Sequence, residues 1–267
     1  MIVLRALYVL YALMVFLLFM LIILPAAFVA TFFGRIKGGN LIYRFCCLWA
    51  DAWFFLTGIR HRNYFEHPHD RNRQYIFVAN HISYLDAPLV AKTIRQPVRA
   101  LGKIETSKVP LFGFIYQNAI VTVNRRSAEN RAQSVRILKS VLKKGISIFI
   151  FPEGTLNETG KPLKNFYDGA FRIAIESQTP IKPILFLDTY DRLSYKSFLS
   201  LTPGRSRSIF LEEIPVHGYT LNDLDYLKTR VYDLLEQKLL EYNASWIEIP
   251  PMEGRSSNTL LPRGFNN

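Results

Sequence analysis

Tyr75-Ile76-Phe77-Val78-Ala79-Asn80-His81-Ile82-Ser83-Tyr84-Leu85-Asp86 is the stretch from which the fold is read. Its first five residues are apolar and β-prone, a short run that suits a strand buried on both faces. Asn80 to Leu85 break that pattern, and Pro88 suits the first turn of a helix. Strand, loop and helix in succession make the unit of an α/β domain. At about 3.6 residues per turn, side chains five apart point roughly 140° away from each other on a regular helix, which excludes His81 and Asp86 as a simple helical pair. A non-helical turn from strand end to helix start brings them together instead, and Asp86 suits the helix N-terminus.

The rest of the chain repeats the unit. Residues Val98 to Leu101, Ile120 to Val123, Ile146 to Phe151, Ile181 to Leu187 and Ser208 to Ile214 read as further strands, most apolar on both faces. A helix is expected over Ala128 to Lys144, with Ser127 as N-cap, Glu129 in its first turn, Lys143 and Lys144 in its last and Gly145 as its stop. Val135, Leu138, Val141 and Leu142 form its apolar stripe. Two more helices are expected over Phe166 to Gln178 and Leu224 to Tyr242, the latter introduced by an approximate capping pattern at Thr220 and Asp223. The expected architecture is α/β, a mixed sheet flanked by helices, preceded by an N-terminal hydrophobic helical membrane anchor.

That anchor is read from Ala6 to Phe33, a run without a charged side chain. A helix of this length, rising about 1.5 Å per residue, is long enough for a hydrocarbon core of roughly 30 Å. It exceeds the apolar region of a cleaved signal peptide, and Ala26-Ala27 make a poor cleavage site. Pro25 offers a kink, or a break into a re-entrant pair with Leu41 to Thr57, so spanning and one-leaflet insertion both stay open. Only Arg5 and the amino terminus precede the run, whereas Arg35, Lys37, Arg44, Arg60 and Arg62 follow it. The positive-inside rule then puts the remaining chain in the cytoplasm. The division expected is 1–58 anchor, 59–249 catalytic α/β domain and 250–267 flexible tail, the last from its Gly, Ser, Asn and Pro content.

With 33 basic against 21 acidic residues, the formal charge is +12 and the pI near 9.7. Without a zinc-ligand spacing or an RNA-recognition signature, the partner expected for that charge is an anionic membrane surface rather than nucleic acid. Cys46 and Cys47 are adjacent and apolar in context, so they suit packing and not a disulfide framework. His67-Pro68-His69 lacks the ligands that would complete a metal site, and none is expected.

The chemistry is carried by His81 and Asp86. A neutral imidazole can take a proton from a hydroxyl near neutral pH, while a carboxylate on its other nitrogen fixes the tautomer and stabilises the imidazolium that forms. Taken alone, the pair reads equally well as a strand cap and a helix cap. It does not stand alone. Asn80-His81-x-Ser83-x-x-Asp86 is followed in order by Lys103, by Pro110 and Gly113, by an apolar run into Arg125, by Phe151-Pro152-Glu153-Gly154-Thr155 and by Pro180-Ile181-x-Pro183-Ile184.

This order of blocks resembles the glycerolipid acyltransferase family over roughly Arg60 to Val216. The resemblance implies a membrane-bound O-acyltransferase that moves a fatty acyl group from acyl-CoA or acyl-carrier protein, with no other cofactor, to a lysolipid hydroxyl. The acceptor it implies is 1-acyl-sn-glycerol-3-phosphate, giving phosphatidic acid. It further implies His81 as general base, Asp86 as its orienter, and Glu153, Gly154 and Thr155 at the acceptor. Arg125 would meet the acceptor phosphate, with Lys103 as a second candidate.

Two positions depart from the family pattern: Leu156 stands where arginine or serine is common, and Ala119 where glycine is expected. The missing arginine makes a lysolipid with another head group, such as an amino-acid-linked lipid, the runner-up acceptor. Ser83 as a nucleophile would need a strand-elbow-helix Gly-x-Ser-x-Gly pattern, which the sequence lacks; a hydrogen bond to the turn backbone suits it better. Lipid esterase or thioesterase activity and noncatalytic lipid binding are the competing classes.

Overall fold

The computed structural model describes residues 2–123 and 128–248. In chain order its elements are helices α1 (Ile2–Thr31) and α2 (Gly34–Leu56), strands β1 (Ile59–Phe65) and β2 (Ile76–Ala79), α3 (Asp86–Thr93), β3 (Val98–Lys103), α4 (Phe112–Ala119), β4 (Ile120–Val123), α5 (Ala128–Leu142), β5 (Ser147–Ile150), α6 (Gly169–Ser177), β6 (Ile181–Leu187), α7 (Thr189–Arg192), β7 (Gly204–Phe210) and α8 (Leu224–Glu241). The strands form one seven-stranded mixed sheet in the order β1-β7-β6-β2-β5-β3-β4. Its pairings are parallel except β6 with β7.

Alternation along the central strands divides the core between the two faces of the sheet. Phe77, Phe149, Ile184 and Phe186 pack toward Trp53 and Phe54 of α2 and Leu89 of α3. Their neighbours Ile76, Val78, Ile148 and Leu185 pack toward Leu138 of α5, Phe171 of α6 and Leu227, Val231 and Leu235 of α8. Each fully buried large apolar side chain contributes roughly 1.5–3 kcal/mol. Because β2, β5, β3, β4 and β6 run the same way, the loops that follow them leave from a single end of the sheet.

The capping box at Thr220 and Asp223 is present and introduces α8. The expected strand Ser208 to Ile214 is displaced: β7 begins at Gly204, where it joins β1, and ends at Phe210, leaving Ile214 with one isolated bridge to Ile181. The expected helix Phe166 to Gln178 begins only at Gly169, because Tyr167 N–H is drawn to Pro152 O (2.9 Å). Ser127, the proposed cap of α5, and the tail at 250–267 lie outside the described residues.

The two apolar stretches make an antiparallel helical hairpin. Pro25 does not divide the first, for α1 continues through it and the chain reverses at Phe32 and Phe33. Tyr8 donates to Thr57 O (2.6 Å) and Trp53 Nε1 to Ala12 O (2.9 Å), tying one end. At the other end a Cβ on Gly38 would lie 2.2 Å from Ala30 O, so this approach of backbones requires glycine. In turn α2 is fastened to the α/β domain: Asp51 pairs with Lys92 (2.6 Å) and Arg95 (2.5 Å), Tyr43 donates to Ile94 O (2.9 Å), and buried Arg99 of β3 donates to Asn40 Oδ1 (2.9 Å). On its free side α1 exposes Leu7, Leu10, Met14, Leu17, Leu21 and Ile22.

Candidate active site

The site is built where β2 and its neighbours end. Asn80, the first residue past β2, donates from Nδ2 to Phe186 O (3.0 Å) and accepts at Oδ1 from Phe186 N–H (2.8 Å). Its side chain thus imitates one more rung of the β2–β6 ladder and frees the backbone to turn away. Six residues after Asn80, α3 begins at Asp86 itself, with Asp86 N–H donating to Ser83 O (3.1 Å).

This turn brings His81 and Asp86 together. His81 Nδ1–H donates to Asp86 Oδ2 at 2.9 Å. The same oxygen accepts from Ile82 N–H (2.8 Å) and Ser83 N–H (2.9 Å), so it is the acceptor of a loop as well as of a histidine. Asp86 is fully buried, while the His81 side chain is 19% exposed. With Nδ1 engaged as a donor, Nε2 is left as the basic nitrogen. The Phe151 ring lies against the imidazole, centroids 3.9 Å apart and planes within 11° of parallel, and restricts its rotation. Asp86 Oδ1 is buried and accepts no hydrogen bond among the described residues.

Ser83 is committed to structure. Its hydroxyl donates to Leu193 O (2.6 Å) and accepts from Leu85 N–H (3.0 Å), and the residue is fully buried. The backbone bond expected for it is therefore present, together with a longer-range one that fastens the turn to the segment after α7.

Glu153 reaches the site through sheet order, because β5 lies beside β2. One carboxylate oxygen accepts from His81 N–H (2.7 Å) and the other from Lys164 N–H (2.9 Å). Burial pushes its carboxyl up to about 8, against the opposing pull of those two amides. With both oxygens spent on backbone, Glu153 sets the height of the His81 loop relative to the 161–165 loop. Asn157 adds a second brace, its N–H donating to His81 O (2.7 Å). Gly154 takes φ +74° between them, a value that favours glycine.

Thr155 is exposed at the rim, and Lys164 Nζ donates to its hydroxyl (2.6 Å) and to Leu156 O (3.4 Å). Lys164 is a cation that sequence reasoning did not single out: it lies nine residues beyond Thr155 and is delivered there by the Glu153 bridge. It forms no ion pair among the described residues. Lys103 ends β3 exposed at the same end of the sheet. Arg125 lies outside the described residues.

Two concavities adjoin these groups. One of 550 Å³ is bordered by Glu153, Lys161, Lys164, Asn165, Tyr167 and Tyr232. The other, of 950 Å³, runs between α5 and α6 over Leu101, Val123, Leu138, Ile150 and Ile173, reaches Phe151 and Gly154, and has Arg136 and Arg172 along it. Among the described residues no three His, Cys, Asp or Glu side chains are grouped to hold a metal. The arrangement can remove a proton at Nε2 and stabilise the resulting imidazolium through Asp86.

Comparison with known proteins bears on the family and the fold. Residues 59–187 match the family model described as Acyltransferase. The chain is 24% identical over 196 residues to the 1-acyl-sn-glycerol-3-phosphate acyltransferase of Haemophilus influenzae, covering 72% of this chain and 80% of that protein. It is 29% identical over 169 residues to the protein of the same name from Salmonella typhimurium, covering 62% and 67% respectively. The crystal structure of the 1-acyl-sn-glycerophosphate acyltransferase from Thermotoga maritima has the same fold, with a TM-score of 0.68 at 22% identity over 91% of this chain and all of that one.

Proposed function

We propose that this chain, a member of the acyltransferase family and an enzyme of the 1-acylglycerol-3-phosphate acyltransferase type, moves a fatty acyl group from acyl-CoA or acyl-carrier protein to 1-acyl-sn-glycerol-3-phosphate, with His81 as the base. The observation that carries the reading is Asp86 Oδ2, held by two backbone amides and pointed at His81 Nδ1. It commits the imidazole to one tautomer and leaves Nε2 for the acceptor hydroxyl. As the hydroxyl oxygen forms its bond to the thioester carbonyl, its proton passes to Nε2. The carbon–sulfur bond then breaks, and His81 returns the proton to the leaving thiolate. Holding both substrates in register supplies roughly 7–11 kcal/mol of the barrier.

The acceptor phosphate would meet Lys164 beside Thr155, with Lys103 and Arg125 as further cations. Leu156 leaves its own position without charge, and the ammonium of Lys164 stands against its carbonyl. This support for a phosphate-bearing acceptor is what ranks it above an amino-acid-linked lipid. The groove between α5 and α6, apolar and continuous with Phe151, suits the chain of the donor.

The hairpin supports attachment to one leaflet. A spanning α1 would have to carry α2 across the bilayer, and α2 is joined to the domain through Asp51, Tyr43 and Asn40. Instead α1 lies along the domain and offers the leaflet its exposed apolar side. The chain's formal charge of +12 supports a catalytic domain on the cytoplasmic side, where the leaflet is anionic.

The test is acylation by the purified full-length protein in lysolipid-containing vesicles, followed by mass spectrometry of the products. Phosphatidic acid formation that depends on thioester and is abolished in His81→Ala supports the reading. Fatty acid released at one rate with or without lysolipid would make it a hydrolase.

A further inference from the structure

Three large apolar side chains stand out on the surface between the catalytic turn and the hairpin. Tyr84 lies inside the His81 to Asp86 turn and is 49% exposed; Phe198 and Leu199 are 66% and 47% exposed. The Tyr84 and Phe198 rings stack at 5.1 Å and 24°. Phe198–Ser200 is a 3-10 turn that packs on α1. The surface is therefore continuous from α1 to the catalytic turn.

The segment that carries this tip is ordered by its own serines. Ser197 Oγ accepts from Leu199 N–H (3.1 Å), Ser200 Oγ accepts from Ser194 N–H (2.8 Å), and the Ser200 hydroxyl donates to Ser197 O (2.5 Å). Leu193 and Leu201, on either side, join the core beneath α2. Leu193 O receives the Ser83 hydroxyl, linking this segment directly to the turn that holds His81. A fastened loop has no need to expose phenylalanine and leucine at its crest, and an apolar patch of this kind marks a contact surface. Exposed Lys196 stands two residues away, as suits a headgroup level above buried apolar side chains.

We infer that Tyr84, Phe198 and Leu199 form a lip that enters the same leaflet as α1 and delivers the lysolipid from the acyl layer to His81. This rests on the one-leaflet reading of the hairpin and goes beyond it, for the lip acts in loading the acceptor while α1 acts in attachment. The hairpin alone would hold the enzyme on the membrane. The lip gives the acceptor's chain an apolar path from that membrane to the catalytic turn, without exposure to water.

The test uses full-length protein on phosphatidylethanolamine–phosphatidylglycerol vesicles containing lysophosphatidic acid. In F198W, vesicles with brominated acyl chains are expected to quench emission beyond that of the three native tryptophans. In Phe198→Ser/Leu199→Ser, cosedimentation with vesicles is expected to persist while KM for the embedded acceptor rises roughly tenfold, about 1.4 kcal/mol. With a water-soluble short-chain acceptor, KM is expected to stay within twofold of wild type. An F198W signal untouched by bromine on vesicle-bound protein overturns the lip and leaves the hairpin intact. So does an equal KM change with both acceptors. Wild-type protein that fails to sediment with vesicles overturns the attachment reading and the lip with it.

Discussion

Replacing Asp86 by asparagine isolates the charge in the catalytic turn. Asparagine keeps the shape, and its oxygen is held facing His81 because the same place receives Ile82 N–H and Ser83 N–H. Turning the amide over would set an NH₂ against two N–H donors. The tautomer of His81 is therefore preserved and only the full negative charge is lost. At 2.9 Å and an effective dielectric of about 20, imidazolium and carboxylate attract by roughly 5–6 kcal/mol, an upper bound. The amide dipole recovers part of this, leaving a loss of about 3–4 kcal/mol at the transition state. At about 1.4 kcal/mol per decade, kcat for Asp86→Asn should fall 10²- to 10³-fold. Asp86→Ala should fare worse in a different way, since it orphans both amides at about 1–3 kcal/mol each and lowers the thermal midpoint. The assay is thiol release from acyl-CoA in the presence of lysophosphatidic acid, with circular dichroism to follow folding. A folded Asp86→Asn enzyme within fivefold of wild-type kcat would refute the assignment of Asp86 as the orienting charge.

Lys164→Met should raise KM for lysophosphatidic acid roughly tenfold, the scale of one charge-assisted hydrogen bond, and change KM for a monoacylglycerol less than twofold; steady-state kinetics with both acceptors decides it. Glu153→Gln must turn its NH₂ toward the backbone N–H of His81 or of Lys164, which should destabilise by about 1–3 kcal/mol and lower Tm by several degrees in a scanning calorimeter. His61 predicts an acid sensitivity. Burial pushes its imidazole down to about 4, against about 6.5 in the unfolded chain. The unfolded state therefore binds the extra proton between those values, and stability present above pH 6.5 is lost as pH falls toward 4, by on the order of 3 kcal/mol. Denaturation midpoints across that window should fall less steeply in His61→Gln; an unchanged slope would show that other groups dominate.

The central strands were legible because β2, β5 and β6 are buried on both faces and bounded by turn residues. The His81 and Asp86 pairing was legible for a related reason: the five-residue spacing excluded a helix and asked for a turn at a strand end. β1 was not read as a strand. Arg60 and Arg62 point outward, while His61 and Asn63 hydrogen-bond to Ser206 and to Thr93 O. No apolar alternation is left to see. The late start of α6 and the role of Glu153 were hidden by nonlocality. A carboxylate after a strand reads as a ligand group, yet its two partners are amides from loops 72 residues before it and 11 after it. Lys164 was missed for the same reason.

The double fastening of α2 has a consequence for how the enzyme meets its substrates. If α1 seats in the leaflet as proposed, no flexible tether separates anchor from catalytic turn, so Nε2 is held at a constant height relative to the headgroups. The search for an acceptor then becomes two-dimensional, and the encounter rate should scale with the surface density of lysolipid rather than with its bulk concentration. A lysolipid in a facing bilayer lies outside that plane and must first exchange into the enzyme's own leaflet.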